Sequence, residues 1–315
     1  MNGMNKCYII SGSCLHDEEA DVKKYVTPGE ARRMCRILKR AVYTSFEALR
    51  QSGIECPYAI ITGTSMGCME NSEKFLTDIC RNGEQLLKPT LFMQSTHNTI
   101  ASMTGILLKC HGYNMTYSQG GVSFTSALLD AWLQIRAGEI NNALVGCHDE
   151  LTDAIRKIRH AAHPEISPAD FREVSAAFML ASEPLGDKPI EVEKVIILHR
   201  PSPRRLEEAI RSLSAEGAPL SVGAEAEAEA ESLSPLSVGA EAEAEAESLS
   251  PLSVGAEAEA EAESLLCASA DAEGVYTACR RLSPLPGEAK SALVVTRAGE
   301  SVSLIKLTLA SPCGC

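Results

Sequence analysis

A pair of glycines between a short strand and a helix constrains the fold of this chain more than any other feature. Tyr113 to Tyr117 has the composition of a short strand, Gly120-Gly121 permits a sharp turn, and Val122 to Ala137 has the pattern of a buried helix. A further strand, Asn142 to Val145, follows the helix. This strand–turn–helix elbow is how α/β proteins present a reactive side chain at the end of a sheet. No cysteine stands in it.

Strand and helix patterns alternate along the first two thirds of the chain, which predicts an α/β fold. The predicted strands are Tyr8 to Ser13, Pro57 to Thr64, Tyr113 to Tyr117, Asn142 to Val145, Val174 to Ala181 and, at an edge of the sheet, Pro189 to Leu198. The predicted helices are Gly29 to Ser52 with Thr27 as its cap, Asn71 to Arg81, Thr99 to Lys109, Val122 to Ala137, Leu151 to His160 and Arg204 to Ser214. After these, Ala268 to Cys279 has a helical pattern, and Ala289 to Val295 with Val302 to Leu309 predicts an antiparallel hairpin.

An acidic repeat interrupts the chain before its last elements. Three copies of a 16-residue unit begin at Pro219, Pro235 and Pro251, and each contains four Ala-Glu pairs. Such alternation has no apolar face to bury, and its glutamates repel one another, so Ala215 to Ser264 is predicted to be a disordered or weakly helical insertion. We therefore expect three parts: an N-terminal domain over 1–213, the low-complexity repeat over 214–265, and a C-terminal remnant over 266–315 that completes the fold.

The charge and the cysteines limit the classes of function. The net charge of -13 argues against nucleic acid as a partner, and it comes almost wholly from the glutamates of the repeat. The 12 cysteines are scattered without the spacing of a zinc site, and the first six residues lack the apolar core of a signal peptide. We expect reduced thiols in a cytoplasmic protein, with no metal, no cofactor and no membrane span.

Two residues near the elbow are candidate nucleophiles, although each also has a structural interpretation. The turn itself, Gly120 and Gly121, has no side chain that could react, and Ser123 is placed to cap the helix. Cys147 stands beside His148 after a buried strand, but neighbours on an extended backbone point to opposite faces. Core packing is therefore the more frequent role of such a cysteine.

Several stretches in order resemble the N-terminal half of β-ketoacyl synthases, over roughly Cys7 to Pro184. They are Val26 to Met34, Ile61 to Gly67, Gln94 to Thr99, Phe124 to Leu129, Ala137 to Glu139 and Leu144 to Gly146. The chain looks most like the short ketosynthase-like proteins of aryl-polyene, flexirubin-type or fatty-acid pathways. The resemblance implies a thiolase-like fold with α-β-α-β-α layers, here with a shortened second half that the acidic repeat interrupts.

The same resemblance implies that the catalytic groups of the family are missing. Condensing members use a cysteine at the elbow and two histidines from the second half, and the cysteine position falls on Gly121. The last histidine of this chain is His199. Members without the cysteine act as chain-length factors, which pair with an active ketosynthase and shape its acyl tunnel.

The expected function is therefore a chain-length-factor-type partner in fatty-acid or polyketide assembly, working in a heterodimer with an active ketosynthase and with an acyl carrier protein. Met93, Met103, Phe124 and Leu128 are the candidate tunnel or interface residues. One alternative is an active β-ketoacyl synthase or acyltransferase with a non-standard nucleophile, Cys147 or Ser123. Another is a degenerate scaffold without enzymatic activity.

Overall fold

The structure is a computed structural model that describes residues 4–85, 87–162, 164, 167, 171–214, 220–222, 269–282, 291–298 and 301–310. Its strands are β1 Tyr8–His16, β2 Ala59–Gly63, β3 Tyr113–Tyr117, β4 Asn142–His148, β5 Val174–Ala181, β6 Ile190–His199, β7 Leu220–Val222, β8 Ser291–Ala298 and β9 Ser301–Leu309. Its helices are α1 Pro28–Arg33, α2 Arg36–Ser52, α3 Met69–Asn82, α4 Pro89–Met93, α5 Thr99–Leu108, α6 Ser123–Ala137, α7 Asp153–Ala162, α8 Pro203–Ser214 and α9 Ser269–Arg281. A short 3-10 turn covers Val22–Lys24.

The strands that the structure describes form a single mixed sheet in the order β3-β2-β4-β5-β1-β6-β9-β8-β7. β2 pairs in parallel with both β3 and β4, whereas β5 runs antiparallel to its neighbours β4 and β1. The carboxyl ends of β2, β3 and β4 therefore meet at one edge of the sheet, where ligands of α/β proteins bind.

Helices cover both faces of this sheet. On one face α6 and α9 pack over Ile61, Val145 and Phe178, in a core that continues to Ile305. On the other face α2 and α5 pack over the alternate strand residues, among them Ile60 and Leu144, and α8 covers the far end. This alternation is the two-residue period of a strand that is buried on both sides.

These elements confirm the predicted α/β class. The described residues form three layers, α-β-α, around one sheet. A second sheet, which would extend these layers to the five that the resemblance implies, is not among them.

The predicted helix over Gly29 to Ser52 is wrong in one respect, because the chain breaks between α1 and α2. Thr27 and Glu30 form the predicted N-terminal cap as a reciprocal capping box, and Gly53 ends α2 with φ 71°. At the break Met34 takes an extended backbone, with ψ 133°, and its side chain is buried. The apolar spacing continues across the break, so the sequence pattern alone does not reveal it.

β6 was predicted as an edge strand and instead lies inside the sheet. It pairs with β9 along its whole length and with the start of β1 through Glu191 and Ile190. The predicted hairpin, now β8 and β9, is antiparallel as expected and supplies the strand that covers β6.

Only three residues of the acidic-repeat region are among those described. Leu220–Val222, at the start of the first copy, form β7 and pair in parallel with Leu293 to Val295 of β8. This short strand differs from the disorder predicted for Ala215 to Ser264, since β8 offers its backbone an edge for pairing. The rest of the predicted insertion lies outside the described residues.

Candidate functional site

The predicted elbow forms between β3 and α6. After Tyr117 the chain turns through Gly120, whose φ of 58° is in the left-handed region that favours glycine. Gly121 is not among the described residues with positive φ, and its backbone forms an isolated bridge with Gln119. The first N–H groups of α6 therefore follow a tight turn, which is the arrangement that accommodates an oxyanion or a carbonyl oxygen.

Ser123 closes this turn from inside. Its hydroxyl donates to the Gly120 carbonyl oxygen at 2.6 Å and accepts from the Gln119 amide at 2.8 Å. The residue is fully buried, and it is the first residue of α6, not its cap, because Val122 takes that position without a side-chain hydrogen bond. A hydroxyl held in this way stabilises the loop.

β2 lies directly against the beginning of α6. A Cβ atom on Gly63 would stand 2.5 Å from both the Phe124 nitrogen and the Ser123 carbonyl carbon. Only glycine fits at that distance, because both contacts are backbone atoms that cannot rotate away.

Asp149 connects the ends of the three parallel strands. It is buried, and its carboxylate accepts from the Thr64 hydroxyl and the Ser65 amide, each at 2.8 Å. Ser65 in turn lies 3.4 Å from the Gly120 carbonyl oxygen through its own hydroxyl. Asp149 and Thr64 were not among the predicted site residues; the signal that could have found them is their common position after β4 and β2.

Cys147 and His148 are consecutive buried residues at the end of β4. Cys147 is fully buried in the core beneath α6, on the same face as Phe178. His148 is also buried, and its Nδ1 lies 2.7 Å from the Ser175 hydroxyl. Burial, assisted by the Arg40 charge, lowers the pKa of His148 to about 3, so the imidazole is neutral near pH 7.

Glu150 is an unusual carboxyl at the same strand end. One oxygen accepts from the Glu70 amide at 2.8 Å, while the other is buried without a hydrogen-bond partner. Burial raises the pKa of Glu150 to about 7. Next to it, Glu173 pairs with the buried Arg40 at 2.5 Å.

The four candidate tunnel residues lie in three different places. Phe124 and Leu128 are fully buried in the core between α6 and the sheet, and Phe124 packs on Phe178 with ring centroids 5.6 Å apart. Met103 packs in a separate cluster with α2. Met93 is 70% exposed at the end of α4. The four do not line one common cavity in the described part of the chain.

Neither a metal cluster nor a membrane-spanning helix occurs within the described ranges. No group of three or more His, Cys, Asp or Glu side chains there could hold a metal ion. No described helix is long and apolar enough to cross a membrane.

A mixed α/β sheet with a strand–glycine–helix elbow at its parallel end agrees with the predicted thiolase-like fold. The family profile described as "Beta-ketoacyl synthase, N-terminal domain" matches residues 14–185, more than half of the chain. The chain belongs to the β-ketoacyl synthase family. A search of curated proteins found no match.

Solved structures of the same fold agree. The ishigamide ketosynthase/chain length factor superposes with a TM-score of 0.68 at 19% identity, covering 97% of this chain and 100% of that one. A type II polyketide acyl-carrier protein in complex with its ketosynthase, AntDE:AntF, gives 0.73 at 12% identity, with 97% and 100% covered. The ketosynthase ApeO in complex with its chain length factor ApeC, from Xenorhabdus doucetiae, gives 0.50 at 15% identity, with 90% and 81% covered.

Proposed function

We propose that this protein is a chain-length-factor-type subunit that has no condensing activity of its own and pairs with an active ketosynthase. The observation that carries the proposal is Gly121. The elbow is formed between β3 and α6, and Gly121 stands where the resemblance to the family puts the cysteine of condensing members. Without a side chain at that position, the turn cannot form a thioester with an acyl chain.

The two other candidate nucleophiles support the same conclusion. The Ser123 hydroxyl is buried and bonded to the backbone of the turn. Cys147 is fully buried in the core. A nucleophile must reach a bulky thioester, and neither side chain is on an accessible surface.

The edge strand β3 supports the proposal of a partner subunit. It is the first strand of the sheet order, so the backbone groups on its outer side have no strand beside them among the described residues. Tyr113 and Met115, on this strand, are partly exposed apolar side chains. An exposed strand edge of this kind pairs readily with a strand of another chain.

Known assemblies of the fold point in the same direction. One compared structure is a ketosynthase with its chain length factor, and another is a ketosynthase with its acyl-carrier protein. We infer an analogous cytoplasmic heterodimer for this chain, acting on acyl chains that an acyl carrier protein delivers in polyketide or fatty-acid assembly. In it the exposed Met93 is an interface residue, and the buried Phe124 and Leu128 support the elbow from the core under α6.

An acyl-transfer experiment tests the missing nucleophile. The isolated protein is incubated with an acyl carrier protein that carries an acyl thioester, and its intact mass is measured. We expect no covalent adduct on the wild-type chain. A stable acyl adduct would overturn the proposal and favour an enzyme with another nucleophile.

A binding experiment tests the partner. We expect co-purification with a cysteine-bearing ketosynthase from the same organism. A Met115→Arg substitution should weaken that complex at least tenfold, because it places a charge on the strand edge. Ile158→Arg, at an exposed position on α7, is the matched control and should leave binding unchanged. A chain that remains monomeric with every such ketosynthase would indicate a scaffold instead.

A further inference from the structure

Two cysteines that are distant in the sequence, Cys56 and Cys110, lie in the loops just before β2 and β3. The parallel register pairs Ala59 with Tyr113. Cys56 and Cys110 each stand three residues before their strand, in the loops that lead from α2 into β2 and from α5 into β3. The pairing of the two strands brings these two loops together at the same edge of the sheet.

The two thiols converge on one carbonyl oxygen. Cys110 Sγ donates to the Pro57 oxygen at 3.0 Å, and Cys56 Sγ lies 3.8 Å from the same atom. The loops are in tight contact here, since a Cβ on Gly112 would be only 2.0 Å from the Tyr58 oxygen. This contact holds both thiols at the amino-terminal edge of the sheet, away from the elbow.

The two thiols differ in solvent exposure. Cys56 is exposed, whereas Cys110 is half-buried. Burial and the neighbouring Cys110 raise the pKa of Cys56. Because Cys56 is the more exposed of the two, a reagent in solution reaches its thiol before that of Cys110.

We propose that Cys56 and Cys110 are a redox modification site, which a small-molecule disulfide such as oxidised glutathione converts to an intramolecular disulfide. The Cys56 thiolate attacks one sulfur of oxidised glutathione, whose S–S bond breaks and releases one glutathione thiolate. Cys110 then loses its proton and attacks the Cys56 sulfur of the mixed disulfide, releasing the second glutathione. Two protein thiols are oxidised and one glutathione disulfide is reduced to two thiols. This proposal does not depend on the proposed function.

Peptide mapping of the full-length protein tests the site. After treatment with oxidised glutathione and digestion with trypsin without reductant, we expect a cross-linked pair of the peptides 51–74 and 110–136. Because the first peptide also contains Cys68, the cross-link must disappear in Cys56→Ser as well as in Cys110→Ser. Cys80→Ser, which removes an exposed thiol on α3, is the control and should retain it. A cross-link that persists in Cys56→Ser, or stable glutathione adducts on Cys56 in the wild type, would overturn the proposal.

Thermal unfolding provides a second measurement in case a variant folds poorly. The disulfide would close the long loop between the two cysteines, so oxidation should raise the Tm of the wild-type protein and of Cys80→Ser by several degrees. The Tm of Cys56→Ser should not respond to the oxidant. An unchanged wild-type Tm after complete loss of the two thiols would contradict the inferred geometry.

Discussion

Glu150 shows how one buried side chain can make stability depend on pH. Its pKa is raised from 4.5 to about 7, so the folded state binds a proton that the unfolded chain has lost. This group therefore contributes less to the free energy of unfolding as pH rises from about 4.5 through 7. His148 acts in the opposite sense, because its pKa is lowered from 6.5 to about 3 and stability rises with pH across that interval.

Replacing Glu150 separates its effect on the pH dependence of stability from that of His148. Glu150→Gln keeps the acceptor for the Glu70 amide and removes the buried charge, so we expect it to raise the free energy of unfolding by about 2 kcal/mol at pH 8 and by much less at pH 5. Urea unfolding at the two pH values measures this difference. Glu208→Gln, which removes the exposed partner of Arg204, is the control and should cost no more than about 0.5 kcal/mol at pH 8. A loss of stability in Glu150→Gln at pH 8 would show that the carboxylate has a partner after all.

At the scale of elements, the close approach of β2 to α6 holds the elbow in place. Gly63→Ala should destabilise the protein by at least about 2 kcal/mol, because its Cβ would meet the Phe124 and Ser123 backbone at 2.5 Å. The midpoint of chemical unfolding measures this cost. Gly29→Ala, in α1, is the matched control: its Cβ would come no closer than 4.0 Å to a neighbour, and we expect no loss of stability. Equal effects of the two substitutions would mean that the strand and the helix can move apart.

The ends of helices were predictable where residues within one turn determine them. The capping box of Thr27 and Glu30 and the glycine that ends α2 follow from residues within one turn. The break at Met34 does not, since the apolar spacing continues through it and Met34 is buried in a separate cluster of α1 and α2. Ser123 was predicted as a cap, yet it is bound to the preceding loop, because the turn at Gly120 brings that loop back over it.

At the scale of the whole molecule, the C-terminal elements belong to the same sheet as the N-terminal ones. β6 pairs with β9 along its whole length, and α9 packs on the face that carries α6. We propose that 1–213 and 266–315 fold as one unit around the acidic repeat over 214–265. The composition of the repeat leaves it little to bury.

Two deletions test this arrangement. Removing 223–264 keeps β7, and we expect the Tm to change by no more than about 2 °C. Removing 215–264 also removes β7 and its pairing with β8, and should lower the Tm further. Calorimetry compares the two proteins. A large loss of Tm in the shorter deletion would show that the repeat itself is packed against the fold.

The sequence by itself determined the alternation of strands and helices, the glycine turn and the absence of a cysteine at Gly121. These depend on residue type and on neighbours a few positions apart. Only the tertiary structure decided that β6 is interior, that Asp149 joins Thr64 and Ser65, and that Cys110 reaches the Pro57 carbonyl oxygen beside Cys56. Each of those contacts links residues that are distant in the chain. Strand pairing brings them together, and no local sequence pattern predicts which strands pair. The residues of the elbow thus specify its backbone turn, whereas the pairing of the strands determines which side chains surround it.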